Sequence, residues 1–501
     1  MSISGFYTNV ARRMNHILVR GYNDEGERFY EKFKYRPQMF VEAKDPDNAK
    51  WKRIDGTPLD AMRFDSMSEC RKFLKTYEGL WRIDGNARHI PGFIQSQWPN
   101  EIEYDAADID VAYIDIETYS GDGFPDPAQA QYEILTITLK SSRDDCYTIW
   151  GLKYYNASKS NVMCDYRKFN NEAEMLEDFL EWWSLPDNTP DVVTGWNTLY
   201  FDMPYIVNRV ARVLGADAVQ LLSPWREVSE RKVTKMGREQ IMFDLLGVSQ
   251  LDYLDLFKKF TLNTYGQQES YRLDFIAELV LGANKHDYSD VGTLQQLYDH
   301  DFQRFLDYNI QDVDLIVRFE EKLGLIALVY QLAYFGGVNY SDTLGTVAIW
   351  DSIIFRHLAK QNIAVPPTGN NHHSKFAGGF VKEPQVGMHD WVISLDLNSL
   401  YPNIIVQNNM SPEMLLEDTR VHGCNPDVVL KHVKDSVPLL KDGGAAVAAN
   451  GTCFSSTRQG FLPEIIEKLY SDRVEVKGKM LTSMKKLQAL KEELTELTTP
   501  K

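Results

Sequence analysis

The chain has 501 residues, 44% hydrophobic and 25% charged, the proportions of a soluble globular protein with room for roughly three or four domains. Its 54 Lys and Arg against 71 Asp and Glu leave a net charge of −17, which excludes coating of duplex DNA by bulk electrostatics but not a local basic groove. Five scattered cysteines (Cys70, Cys146, Cys164, Cys424, Cys453) without CxxC spacing exclude a zinc site and a disulfide framework.

Short aromatic-rich strands are predicted over 4–10, 16–22, 28–33 and 38–41, then an acidic helix over 66–78, together an α+β module without evident chemistry. The first ten residues lack a basic start with an apolar run, so no secretory leader is expected. From about 107 to 321 strands (111–118, 134–139, 192–195) alternate with helices (172–183, 204–214, 301–322), the pattern of an α/β sheet domain. The uncharged run 323–341 contains Gln331, Gly336, Gly337 and Asn339 and reads as a buried helix rather than a membrane span. Beyond Gly378 and Gly379 a new apolar strand is predicted over 391–397, and 463–497 reads as one or two helices.

The strand 111–118 carries Asp115-Ile116-Glu117. Side chains alternate along a strand, so both carboxylates share one face while Ile114, Ile116 and Thr118 take the other. Two close carboxylates repel, and burying them is costly unless a divalent cation neutralises them; a solvated acidic edge strand is the alternative. Asp202 lies between the strand at 192–195 and a helix with Pro204 in its first turn, where an N-cap role competes with a ligand role. Tyr308 and Asp312 are i,i+4 on a helix and share a face beside apolar positions.

Taken in order, D-I-E, N-x-x-x-F-D-x-P-Y and Y-N-x-x-D resemble the three exonuclease boxes of the B-family DNA polymerases, in particular the replicative enzymes of T-even-type bacteriophages. Phe376-Ala-Gly-Gly-Phe-Val-Lys-Glu-Pro384 is similar to the family's linker, and Ser394-Leu-Asp396-Leu-Asn-Ser-Leu-Tyr-Pro402 to its first palm motif. The resemblance covers essentially the whole chain. It implies a ribonuclease H-like 3′–5′ exonuclease domain at 107–328, an N-terminal α+β domain at 1–106 with 329–377, a partial palm at 378–460 and a partial fingers helix at 461–501.

It further implies that Asp115, Glu117, Asp202 and Asp312 hold two Mg²⁺ or Mn²⁺ ions about 3.5–4 Å apart, with Tyr308 orienting the attacking water. The substrate would be a single-stranded DNA 3′ end, whose capture depends on stacking more than on bulk charge. In the palm, Asp396 and the Leu397 carbonyl would bind metal, Ser399 and Leu400 would offer amides to an incoming dNTP, and Tyr401 would exclude a ribose 2′-OH. Arg473 and Lys477 would grip the triphosphate; their alternative is an exposed basic face.

The family's later motifs, K-x-x-x-N-S-x-Y-G and Y-x-D-T-D-S, do not follow Asp396. Asn263-Thr-Tyr-Gly266 and Tyr340-Ser-Asp-Thr-Leu344 approximate them in spelling but precede the palm motif. Met480, Met484, Leu487, Leu490, Leu494 and Leu497 form an apolar stripe at helical spacing, as if awaiting another helix. The expectation is an N-terminal polymerase piece in the cytoplasm of an infected bacterium, acting on single-stranded and primer-template DNA. It would have no membrane contact and would need a C-terminal polymerase chain for synthesis. A non-catalytic nucleic-acid-binding or assembly subunit, or a stand-alone repair exonuclease, are the competing readings.

Overall fold

A computed structural model describes residues 3–120, 123, 125–235, 238–283, 292–367, 381–420, 444–448 and 450–498. It is a mixed α/β multidomain chain that divides into two compact units, 1–41 with 61–357 and 42–60 with 358–501. No helix among the described residues is long and apolar enough to cross a membrane.

The first unit opens with an antiparallel sheet of β1 (Phe6–Arg13), β2 (His16–Tyr22) and β3 (Arg28–Lys34). Helices α1 (Met67–Thr76), capped by the Ser66 side chain, and α2 (His89–Gln97) follow. A six-stranded sheet comes next: β4 (Val111–Thr118), β5 (Ile134–Ser141), β6 (Tyr147–Gly151), β7 (Cys164–Lys168), β8 (Val192–Thr194) and a short β9 (Ser249–Gln250). Its spatial order is β7-β6-β5-β4-β8-β9; β4, β5 and β6 pair antiparallel, while β6–β7, β4–β8 and β8–β9 are parallel. A charged hairpin, 228–245, lies outside this sheet, and the sequence reading did not anticipate it.

β4 sits centrally, and its two faces enter different cores. Ala112, Ile114 and Ile116 pack with α3 (Glu172–Ser184) and α4 (Asp202–Val213), residues of both helices sharing their cluster. Val111 and Tyr113 join the cluster of α5 (Phe302–Leu323), which supplies Phe305, Leu306, Ile310, Val313 and Ile316. The period of two predicted for this strand therefore separates two buried layers, and Asp115 and Glu117 continue the α5 face where it turns from apolar to acidic. Arg209 on α4 forms a buried pair with Glu172 of α3 (2.6 Å), and Glu172 also accepts from the Ile134 amide (2.7 Å), tying both helices to β5.

The small sheet joins the large one through a buried ion pair. Arg20 Nε lies 3.2 Å from Asp191 Oδ1, with both side chains fully enclosed, and the guanidinium donates to the carbonyls of Thr189, Pro190 and Gly247. Asp191 also accepts from Thr8, Tyr22, Arg28 and the Asp110 amide. Burial alone would push its carboxyl up; Arg20 and Arg28 with these hydrogen bonds hold it below the usual range.

After α5 the apolar run forms Leu325–Gly336, a 3-10 turn over Tyr340–Leu344 with Tyr340 buried, and the helix Thr346–Lys360. In the second unit, α6 (Leu400–Gln407) precedes a three-stranded sheet of Leu415–Arg420, Ala445–Val447 and Thr452–Ser455. A 38-residue helix, α7 (Phe461–Thr498), follows. Ser411, Glu413 and Asn409 receive the amides of Leu462, Phe461 and Gly460, which fixes where α7 begins.

One predicted element does not form. Residues 391–397 are not a strand: Trp391 is 98% exposed and Leu395 90%, and no strand pairs with them among the described residues. Apolar content favours a buried strand, but a ladder requires a neighbour to take its N–H and C=O groups. The linker-like segment is described only from residue 381, so 376–380 lie outside the described residues. On α7, Met480, Met484, Leu487, Leu490 and Leu494 are exposed; Leu497 lies beyond the residues whose side chains are described.

Candidate metal centre

Asp115 and Glu117 project from β4 toward α5, and Asp312 meets them from that helix. One carboxylate oxygen from each lies within 4.8 Å of the other two. Asp312 is buried and the strand pair half-buried. An all-oxygen set of three carboxylates, close together and partly out of water, is the donor chemistry of a hard divalent cation such as Mg²⁺ or Mn²⁺ rather than of zinc. Tyr308 sits one helical turn before Asp312, half-buried on the same side of α5.

Asp202 approaches differently. It is the first residue of α4 rather than its N-cap, the position that Phe201 takes. Instead Oδ1 accepts from the Ile116 amide (3.3 Å), in the middle of the D-I-E tripeptide. It is not one of the three converging carboxylates. Burial pushes its carboxyl up to about 7, against the Ile116 amide, whose hydrogen bond favours the anion.

Two features that the sequence reading missed bring Asp202 there. Gly195 ends β8 where a Cβ would overlap Thr198 Oγ1 and stand 2.5 Å from the Ile114 carbonyl oxygen, so the β8–α4 loop reaches β4 only without a side chain at 195. Asp252 then clamps the loop by accepting from the Asn197 and Leu199 amides at 3.1 Å each; burial raises this carboxyl to about 6.

The raised Asp202 carboxyl makes stability depend on pH. A carboxyl raised from about 4 to about 7 in the folded state contributes stability that is fully present below about pH 4, where both states are protonated. That contribution is lost as pH rises through the folded value near 7. Asp202→Asn is therefore expected to melt higher than the parent at pH 8 without divalent metal, and to match it near pH 4. Calorimetric melts at both pH values check this; equal gains at the two would refute it.

The second unit assembles no comparable cluster among the described residues. Asp396, Leu397, Leu400 and Tyr401 are exposed, and Ser399, at φ 51, precedes α6. Arg473 and Lys477 are exposed on α7, one turn apart, and no ion pair joins either to Asp396 among the described residues.

Comparison with known proteins follows the same division. The model for the family B DNA polymerase exonuclease domain matches residues 85–276, and that for DNA polymerase family B matches 345–494. The DNA-directed DNA polymerase of Escherichia phage RB69 is 30% identical over 98% of this chain and 55% of its own length; that of Enterobacteria phage T4 is 30% identical over 97% and 55%. The bovine DNA polymerase delta catalytic subunit is 28% identical over 61% of this chain and 27% of its own. The chain thus spans about half the length of the phage relatives it matches. Two models of one family, matched consecutively, together with phage relatives 30% identical over nearly all of this chain, establish that this chain belongs to DNA polymerase family B.

Proposed function

We propose that this chain carries the 3′–5′ proofreading exonuclease of a phage replicative polymerase, hydrolysing the terminal phosphodiester of single-stranded DNA. The observation that carries the reading is the convergence of Asp115, Glu117 and Asp312 from one strand and one helix within 4.8 Å. Two divalent ions, when bound, would supply a hydroxide nucleophile and support the leaving 3′ oxygen. The three carboxylates would hold them, Asp202 completing the set from the start of α4, and Tyr308 would position the water that attacks phosphorus. A ribonuclease H-like domain at 107–328 and the remaining boundaries named above belong to the same proposal.

The second half of the reading is a polymerase site held in part. Asp396 with the Leu397 carbonyl would bind metal, while Ser399, Leu400, Tyr401, Arg473 and Lys477 would receive a dNTP opposite primer-template DNA. The complementary palm carboxylate motif is not among these residues, so synthesis would draw on a C-terminal polymerase segment or partner chain. The setting would be the cytoplasm of the infected host.

The test is a 5′-labelled single-stranded oligonucleotide incubated with the purified chain. A ladder of 3′-shortened products with Mg²⁺, absent with EDTA, is expected, with no primer extension by the chain alone. No shortening would remove the exonuclease and favour a non-catalytic assembly subunit; extension without a partner would remove the divided polymerase site.

A further inference from the structure

Between Tyr308 and Asp312 stands Asn309, fully buried on the inner stripe of α5. Its Nδ2 donates to Asp115 Oδ2 at 2.6 Å. Its Oδ1 accepts from Thr136 Oγ1 at 2.8 Å and from Thr138 Oγ1. The orientation of this amide follows from its partners: a carboxylate can only accept, so it must face the NH₂, and the two hydroxyls then occupy both lone pairs of the oxygen. Thr136 and Thr138 are two apart on β5, both fully enclosed, in register opposite Glu117 and Asp115.

The side chains form a closed relay across three elements: β5 holds the amide of α5, and that amide holds the carboxylate of β4. Hydrophobic residues at 136, 138 and 309 would pack this interface with fewer polar demands, so the relay has a use beyond filling space. A carboxylate is symmetric and turns readily about its Cβ–Cγ bond. An anchored oxygen removes that freedom, and the neutral donor offsets part of the triad's charge without adding a competing cation.

We propose that Asn309 is a positioning residue of the exonuclease site, fixing the Asp115 carboxylate in the rotation at which it meets Glu117 and Asp312, with Thr136 and Thr138 fixing Asn309 in turn. This rests on the exonuclease reading for its function, but its geometry concerns metal binding alone. Partners of metal-binding groups typically set 10–100-fold in metal affinity or activity.

The experiment measures Mn²⁺ binding by calorimetry and single-strand hydrolysis against Mg²⁺ concentration, on the full chain and on Asn309→Ala and Thr138→Val. Asn309→Ala is expected to weaken Mn²⁺ binding and raise the half-saturating Mg²⁺ about 10-fold or more, with KM for the oligonucleotide unchanged. Thr138→Val, of the same shape, should shift both in the same direction by less. Unchanged metal affinity in both variants, or a loss that appears only in KM, overturns the proposal. Should Asn309→Ala fail to fold, Thr138→Val decides: no shift overturns it. A parent chain that binds Mn²⁺ without hydrolysing DNA refutes the exonuclease reading instead, and the calorimetric comparison still decides the positioning role.

Discussion

Asp115→Asn is expected to slow single-strand hydrolysis about 10³-fold or more in Mg²⁺ while leaving the metal-free fold as stable as the parent or more so. The two signs have one cause. Asp115, Glu117 and Asp312 place three carboxylate oxygens within 4.8 Å, and removing one charge relieves repulsion that only a cation otherwise offsets. The amide keeps an oxygen that can accept from Asn309 Nδ2, so the relay to β5 retains its bond. What the variant loses is a metal ligand, and metal assistance is worth several kcal/mol at the transition state; about 4 kcal/mol corresponds to about 10³ in rate. Asp396→Asn, in the other unit, should leave hydrolysis unchanged. Rates on a labelled oligonucleotide and melting with and without Mg²⁺ read all of these. Retained hydrolysis, or a fall in rate matched by a fall in metal-free stability, would sink the assignment.

The parts of this site that could be read from the chain are those written in local periods. The strand predicted at 111–118 and the helix at 301–322 form as Val111–Thr118 and Phe302–Leu323, because alternation and 3.6-residue spacing decide which face each residue joins. Asp115 with Glu117, and Tyr308 with Asp312, were therefore legible as pairs. Asn309 was not: in sequence it is one polar residue beside Tyr308, and its meaning comes from Thr136 and Thr138, about 170 residues away. A signal existed in β5, where two threonines alternate with Leu135, Ile137 and Leu139 in a strand that otherwise reads as core. Gly195 shows the same limit, since its missing side chain matters only where Thr198 and Ile114 close around it. The segment 391–397 fails in the opposite direction. Its apolar content is a demand for burial, but pairing is a long-range event that composition cannot supply.

Arg20→Met is expected to destabilise the first unit by about 3–5 kcal/mol, the usual cost of removing one partner from a buried ion pair. Arg20 and Asp191 are both fully enclosed, and their link joins β2 to the start of β8 in the six-stranded sheet. Methionine fills much of the volume but leaves Asp191 with less positive charge and strips donors from the carbonyls of Thr189, Pro190 and Gly247. Urea unfolding followed by far-UV circular dichroism should show the loss, and the doubly substituted Arg20→Met with Asp191→Leu should lose less than the sum of the two single losses, since the two side chains interact directly. Acid provides an independent check. Asp191 is held below its unfolded value, so its contribution is fully present above about pH 4 and is lost as pH falls through the lower folded value. The parent should therefore lose an increment of stability below pH 4 that Asp191→Leu lacks. A parent and variant with parallel acid limbs would show that the small sheet is held by its apolar contacts and not by this pair.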